Sequence, residues 1–289
     1  MDGEKPSDLG RWIEQKIKAF AKSAENTLRT GDGELVWDEP IVGFSRGDDP
    51  LYARLKSMIG DFFWRPVEIF RLTFPDAEIR SEELTVVSWV LPQTEATKAD
   101  NRKETLYGSG RWVRARKFGE EFNVKLRVHL VEAFKEAGYR AVAPQLSPHF
   151  AIKMSQAYEM ASTWSERHAA HVSGLGTFGL CDGLITRVGK AMRCGSVVAH
   201  LAIPPTPRPY QDHHAYCLFY SQGTCGACVK RCPVQAISKE AGHNKKRCRD
   251  YVEGPILQHA RDTYGIEAYG CGLCQTKVPC ESGIPVKKE

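Results

Sequence analysis

The stretch of sequence that decides the fold lies near its C-terminal end. It reads Cys217-Leu-Phe-Tyr-Ser-Gln-Gly-Thr-Cys225-Gly-Ala-Cys228-Val-Lys-Arg-Cys232-Pro233, then Cys248, then Cys271-Gly-Leu-Cys274-Gln-Thr-Lys-Val-Pro-Cys280. Of the 10 cysteines in the chain, only two lie outside this stretch. Cysteines that recur at such short spacings are candidate metal ligands or disulfide partners.

The spacing indicates iron–sulfur clusters. Cys225-x2-Cys228-x3-Cys232-Pro233 matches the end of the bacterial ferredoxin pattern, in which the last cysteine ligates the other of two clusters. Gly226 and Gly272 each follow the first cysteine of a C-x2-C pair, where a glycine lets the backbone approach a cluster closely. Pro233 predicts a helix over residues 234–237, because proline is favoured at the first helical position. We therefore predict a ferredoxin-like domain that carries two [4Fe-4S] clusters.

The ferredoxin rule also assigns the ligands. A ferredoxin run would place a cysteine three residues before Cys225, where this chain has Gln222. Cys217 is the nearest substitute, and the loop between it and Cys225 can close at modest entropic cost. In two-cluster ferredoxins the last cysteine of each run ligates the other cluster, and this rule gives two predicted ligand sets here. The first set is Cys217, Cys225, Cys228 and Cys280, and the second set is Cys232, Cys248, Cys271 and Cys274.

Two alternative roles for the cysteines remain open. Structural zinc sites also use C-x2-C pairs, and eight cysteines would suffice for two zinc ions with four thiolates each. A disulfide framework is typical of short secreted chains, whereas this chain has 289 residues and no secretory signal. Cys181 and Cys194 are interpreted as small buried residues. His213 and His214 are interpreted as surface residues close to a cluster, not as ligands.

The composition is that of a globular protein, with 42% hydrophobic and 26% charged residues. A net charge of +5 allows an anionic partner without requiring one. No apolar run reaches the eighteen or so residues of a membrane span. These features, together with oxidant-sensitive clusters, lead us to expect a cytoplasmic protein.

Upstream of the cysteines, apolar periodicity predicts alternating strands and helices, and hence a layered α/β core. Residues 84–91 are nearly all apolar, which indicates a central strand covered on both faces. A polar loop is predicted from the end of this strand at Pro92 to Asn101. We predict an α/β domain over residues 1–205 and the ferredoxin-like domain over 206–289, with a proline-rich linker at 204–209. The predicted helices are 10–29, 50–59, 118–137 and 158–173, and the predicted strands are 39–44, 83–91, 140–143 and 195–201.

A glycine-rich loop follows the last predicted helix of the core. Four glycines in the stretch from Gly174 to Gly183 mark backbone that turns tightly or approaches a ligand. The order of helix, loop and strand is the reverse of a phosphate-binding Rossmann entry. The loop is therefore either a simple connection or a binding loop for a different cofactor.

These segments together resemble the epoxyqueuosine reductase and reductive dehalogenase superfamily. The likeness rests on the glycine loop, on Gly183-Leu184-Ile185-Thr186, on Gly195-Ser196-Val197-Val198 and on the two cysteine groups in order. It covers about residues 40–285. It implies a nitroreductase-like α/β core with a base-off corrinoid (cobalamin) supplied with electrons by two [4Fe-4S] clusters. The corrinoid-binding residues that it implies are Gly174, Gly176, Thr177, Phe178, Gly179, Asp182 and Thr186.

The resemblance also suggests a proton donor. In the reductases an aspartate near a Tyr-His pair has this role, and the corresponding stretch here is Glu120-Glu121-Phe122-Asn123. Glu121 is the candidate acid, provided that a buried site raises its pKa. The competing interpretation is a solvated residue near the start of its helix. Gln222, the wider Cys274–Cys280 spacing and the missing helical-repeat tail argue against transfer-RNA binding.

The sequence therefore predicts an iron–sulfur oxidoreductase that reduces a small or nucleoside-like substrate at a corrinoid. Its electrons would come from a reduced ferredoxin or flavodoxin. The alternative is an iron–sulfur electron-transfer or partner protein without a corrinoid. Most of the chain lies outside the cysteine segment, which favours a substrate site.

Overall fold

The structure is a computed structural model that describes residues 8–285. Within this range the helices are α1 Leu9–Ala21, α2 Pro50–Ile59, α3 Pro66–Thr73, α4 Glu95–Lys103, α5 Gly110–Glu136, α6 Glu166–Val172, α7 Leu218–Gln222, α8 Ala227–Arg231, α9 Lys245–Tyr251 and α10 Leu257–Tyr264. The strands are β1 Ile41–Arg46, β2 Leu84–Pro92, β3 Ala141–Val142, β4 Ile152–Ser155, β5 Glu159–Ser162, β6 Gly176–Phe178, β7 Leu184–Thr186, β8 Met192–His200, β9 Ile237–Ser238 and β10 Gly242–His243.

The core is an antiparallel sheet in the order β1-β2-β8-β3. Every residue of β2 is buried, so the predicted central strand covered on both faces is confirmed. Val87, Trp89 and Leu91 pack with α1 and α5, whereas Val86 points to the opposite side and packs with α3 and α6. This alternation follows from the two-residue period of a strand. The predicted α/β class is confirmed.

Several predicted elements have different bounds. The first helix ends at Ala21, and Asn26 then donates to the carbonyl oxygens of Ala21 and Trp37. The predicted loop before Asn101 was wrong, because α4 forms there with Thr94 as its N-cap. The long helix α5 begins eight residues before the predicted start, where the Ser109 hydroxyl caps it.

Two predictions of helix were wrong. Residues 158–173 form the second strand of the β4–β5 hairpin and then the short helix α6. Residues 234–237 do not form a helix, because Gln235 has a φ of +52° and Ile237 pairs with His243 in the β9–β10 hairpin. Cys232 therefore does not lie at a helix N-terminus.

The cysteine-containing segment packs directly on the core. The Arg231 guanidinium donates to the carbonyl oxygens of Glu104 at 2.7 Å and Asn101 at 3.1 Å. The Asn101 amide in turn donates to the Cys271 carbonyl at 3.3 Å and to the Thr276 hydroxyl at 3.0 Å. These bonds hold the second cysteine pair against α4. No helix within residues 8–285 is long and apolar enough to cross a membrane.

Candidate active site

The first predicted ligand set surrounds one cavity. Cys217, Cys225, Cys228 and Cys280 all line one small cavity of about 20 Å³. Its remaining wall is mostly apolar and includes Leu180, Ile185, Phe219 and Val278. Cys217 belongs to this wall despite its irregular spacing in the sequence.

The second set gathers beside the first. Burial raises the pKa of the Cys271 thiol to about 11, and the neighbouring thiols of Cys248 and Cys232 contribute to this rise. Cys274 lies next to Cys181 and Cys271, because interactions with these thiols, together with burial, raise its pKa. Cys232 and Cys274 also pack in one cluster with Cys217, Cys228 and Cys280. The structure thus brings the predicted ligand cysteines into one region, and their division into two ligand sets stays a prediction.

Cys181 and Lys190 lie in the same region and were not predicted to be there. Cys181 is in the β6–β7 turn, where hydrogen bonds with Cys228 and Cys274 lower the pKa of its thiol well below the usual value. The Lys190 ammonium nitrogen is 3.2 Å from the Cys181 sulfur. No local pattern marks Cys181, because its neighbours are brought to it by the docking of two distant segments.

The donor set fits a sulfur-bridged cluster. Four thiolates around one enclosed apolar space are the ligands that a [4Fe-4S] cubane uses. A zinc site instead needs its ligands to converge on a single ion. Among the described residues, no group of three or more His, Cys, Asp or Glu side chains is arranged to hold a metal ion, so the choice of a cluster over zinc rests on the cysteine spacing and stays a prediction.

Gly272 determines how closely the second cysteine pair approaches the core. Its φ is +62°, and a Cβ at this position would lie 1.9 Å from the Trp112 ring of α5. Gly223 has a similar φ of +67° but has no atom within 4 Å of such a Cβ. An added side chain would strain the backbone at both glycines, but it would also meet a neighbouring residue only at Gly272.

We expect Gly223→Ala to lower the free energy of unfolding by about 1–2 kcal/mol, the cost of a left-handed alanine. Gly272→Ala should cost the same amount plus about 1–3 kcal/mol of overpacking. Thermal unfolding of the two variants, prepared anaerobically in parallel, measures the difference. Equal losses of stability would mean that Trp112 moves aside without cost.

A second, larger cavity lies between the core and the cysteine segment, with a volume of about 580 Å³. Cys248, Gly270 and Gly272 form one side of it, and residues of α5 and β8 form another. The Gln93 side-chain oxygen at its edge is buried and lacks a hydrogen-bond partner among the described residues. A buried acceptor of this kind is suited to a ligand N–H group.

The larger cavity contains a network of carboxylates and arginines. Arg127 is fully buried and contacts Glu120 at 3.3 Å and Glu166 at 3.2 Å. Arg193 contacts Glu120 at 2.7 Å. Burial alone would raise the pKa of Glu120, but Arg193, Arg127 and Arg116 hold it below the usual value. Burial does raise the pKa of Glu166, against the opposing effect of Arg127.

Glu121, the predicted acid, lies outside this cavity. Its carboxylate pairs with Arg29 at 2.7 Å and with Lys117 at 3.3 Å on the wall of an open groove. Arg116, Glu120 and Tyr269 border both the groove and the larger cavity, so the two spaces adjoin. The catalytic role of Glu121 stays a prediction that its position does not favour.

The residues of the predicted corrinoid loop mostly contact protein. Gly176 pairs with Thr186 across the β6–β7 hairpin, and the Thr177 hydroxyl accepts from the Tyr216 backbone. The backbone N–H of Phe178 donates to the His213 carbonyl oxygen, and a Cβ on Gly174 would meet the Pro207 carbonyl oxygen at 2.8 Å.

Two members of the loop lie nearer to the cysteines. Gly179 lines the first cysteine cavity, and the Asp182 carboxylate is 3.0 Å from the His243 imidazole. The loop therefore packs against residues 206–216 and the first cysteine cavity. The neighbouring Gly183 and Leu184 line the larger cavity, and corrinoid binding by the loop itself stays a prediction.

Comparison with known proteins identifies reductases as relatives. The chain is 30% identical over 132 residues to an epoxyqueuosine reductase from Francisella cf. novicida, covering 43% of this chain and 34% of that protein. It is 27% identical over 192 residues to an epoxyqueuosine reductase from Lactococcus garvieae, covering 65% of this chain and 49% of that protein. The structure of a catabolic reductive dehalogenase matches with a TM-score of 0.51 and 14% identity, over 96% of this chain and 37% of the other.

These curated relatives are reductases, and the structural neighbour shares the mixed α/β fold of this chain. The resemblance to the epoxyqueuosine reductase and reductive dehalogenase superfamily, predicted from the sequence, is confirmed. The chain spans about a third to a half of the length of these two curated relatives. No protein-family model matches the chain.

Proposed function

We propose that this chain is an iron–sulfur oxidoreductase of the epoxyqueuosine reductase type. In this proposal two [4Fe-4S] clusters carry electrons to a corrinoid in the larger cavity, where a small or nucleoside-like substrate is reduced. The observation that carries the proposal is the contact between the second cysteine set and the larger cavity. Cys248 of the second cysteine set lines the larger cavity, so a cluster held there would adjoin whatever occupies that cavity.

The residues of the larger cavity fit a corrinoid. Its volume of about 580 Å³ lies within the range of about 300–1,000 Å³ that is usual for small-molecule pockets. A corrinoid carries many amide groups, one of which would satisfy the unpaired Gln93 oxygen. Gly270 and Gly272 keep side chains out of the wall next to the cysteines. When bound, the corrinoid would supply low-valent cobalt as the reductant.

The chain itself would supply the proton. Glu166 lines the cavity, and burial raises the pKa of its carboxyl group, which favours the protonated form that a proton donor needs. Glu121 lies in the outer groove instead. Ser196 and Arg127 hold the Glu166 carboxyl group by hydrogen bonds. The Arg127 guanidinium also fixes Glu120 and Gln145, so it would keep the acid in one orientation.

The proposal is tested by loading the protein anaerobically with iron, sulfide and cobalamin. We expect about eight irons and eight acid-labile sulfides per chain, and a Co(II) spectrum of cobalamin with its lower base displaced. Zinc without sulfide would contradict the iron–sulfur part of the proposal. Intact clusters without cobalamin binding would favour the alternative, an electron-transfer protein without a corrinoid.

Substrate class is tested with two probes taken from the relatives. One is epoxyqueuosine, which the names of the curated relatives specify, and the other is 3-bromo-4-hydroxybenzoic acid, the ligand of a structural neighbour with a TM-score of 0.51. With titanium(III) citrate as the reductant, we expect conversion of the nucleoside probe. Conversion of the halogenated probe alone would assign the chain to dehalogenation.

A further inference from the structure

Lys190 is the cation most deeply enclosed by the cysteine groups. The residue is 2% exposed, and its backbone N–H donates to the carbonyl oxygens of Cys280 at 2.9 Å and Glu281 at 3.0 Å. A Cβ on Gly183 would lie 2.7 Å from the Lys190 Cδ, so a glycine at 183 leaves room for this side chain. The lysine is therefore held in place from its backbone to its tip.

The charge of Lys190 has no carboxylate counterpart among the described residues. Within residues 8–285 no carboxylate oxygen lies within 4.0 Å of its ammonium group, which instead donates to the Cys181 sulfur. A buried ammonium group without an anion is costly. The negative charge nearest to it must therefore come from thiolates and from any cluster that they hold.

Lys190 also lies where both cysteine sets and the larger cavity meet. It borders the first cysteine cavity and the larger cavity. Its strongest electrostatic partners are Cys181, Cys280, Cys274 and Cys228, which include members of both predicted ligand sets. The buried positive charge of Lys190 is thus close to cysteines of both proposed clusters.

We propose that Lys190 is a positioning residue that raises the reduction potentials of the two clusters, and so makes them easier to reduce. The inference rests on the proposed function, because it presupposes that the cysteines hold clusters. Each one-electron reduction adds a negative charge, which a nearby buried cation stabilises with little screening by solvent. Net charge and hydrogen bonds to sulfur are among the factors that set cluster potentials.

Lys190→Met removes the charge and keeps a similar length of side chain. Anaerobic redox titration followed by electron paramagnetic resonance measures the effect. At the potential where half of the wild-type clusters are reduced, we expect the ratio of reduced to oxidised cluster to fall about tenfold in the variant. For a one-electron couple this corresponds to a shift of about 59 mV to more negative potential.

Two further variants separate charge from packing. Lys190→Arg keeps the charge and should keep potentials near those of the wild type. Lys239→Met removes an exposed charge whose side chain lies against Gly226 in the Cys225–Cys228 turn, and solvent screening should make its effect much smaller. Unchanged potentials in Lys190→Met, or equal shifts in the Met and Arg variants, would overturn the proposal.

Cluster content is measured before each titration. If Lys190→Met holds no clusters but Lys190→Arg does, the charge of Lys190 serves cluster assembly, and the proposed role in setting the potentials is wrong. If both variants lose their clusters, Lys190 has a packing role and the proposal is wrong. Wild-type protein without iron and sulfide would instead contradict the proposed function. Failure of the Lys190 proposal can therefore be told apart from failure of the proposed function.

Discussion

Cys217→Ser should damage one cluster and spare the other. We expect iron to fall from about eight per chain to between about four and seven, depending on whether the first cluster is lost or kept in a three-iron form. The reason is the position of Cys217, which lines the same cavity as Cys225, Cys228 and Cys280. Iron and sulfide analysis, with electron paramagnetic resonance to detect a three-iron signal, measures the result.

Cys194→Ser is the matched control for this experiment. Cys194 is also buried, but it lies on β8 and contacts the Met192 sulfur instead of the cysteine groups. The control should keep all of its iron. A Cys217→Ser protein with two complete four-iron clusters would show that Cys217 is not a ligand, and Cys181 would then be the first residue to test as its replacement.

Glu166→Gln should lower the turnover number by about 10²-fold or more, the usual contribution of a positioned general acid. Glutamine retains the shape of the side chain and one of its two acceptor oxygens but cannot deliver a proton. The measurement is turnover of the converted probe with saturating reductant. Cluster content and cobalamin binding serve as controls for an intact site.

The comparison with Glu121→Gln decides between the two candidate acids. Glu121 pairs with Arg29 and Lys117 in the outer groove, so its replacement should have a much smaller effect on turnover. If Glu121→Gln instead causes the larger loss, the acid suggested by the resemblance is correct. Glu166 would then serve only to hold Arg127.

The sequence was informative where short-range pattern determines structure. The apolar run of β2 required cover on both faces, and the 3.6-residue period of Phe122, Leu126 and Leu130 required a buried helix face. The cysteine spacings predicted two ligand sets, and the structure places the four members of the first set, including Cys217, around one cavity. The assignment of cysteines to clusters stays a prediction.

The features that the sequence did not predict depend on tertiary contacts. Residues 159–162 have helix-forming side chains, but pairing with 152–155 makes them a strand, and Glu159 adopts a φ of +59°. Tertiary context overrides propensity in such cases. Lys190 and Cys181 approach the ligand cysteines only because the β6–β7 hairpin docks on the cysteine segment, which no local spacing reveals.

The pairing of β2 with β8 has a consequence for how the protein forms. Pro92 pairs with Met192 and Leu84 with His200, so the central ladder joins parts of the chain that are far apart in sequence. Such non-local pairing slows folding, because a long loop must close before its contacts stabilise it. During synthesis the ladder can close only after β8 has emerged, and the cysteine segment follows directly behind it. We therefore expect clusters to be inserted into a core that has already begun to fold, and not to nucleate it.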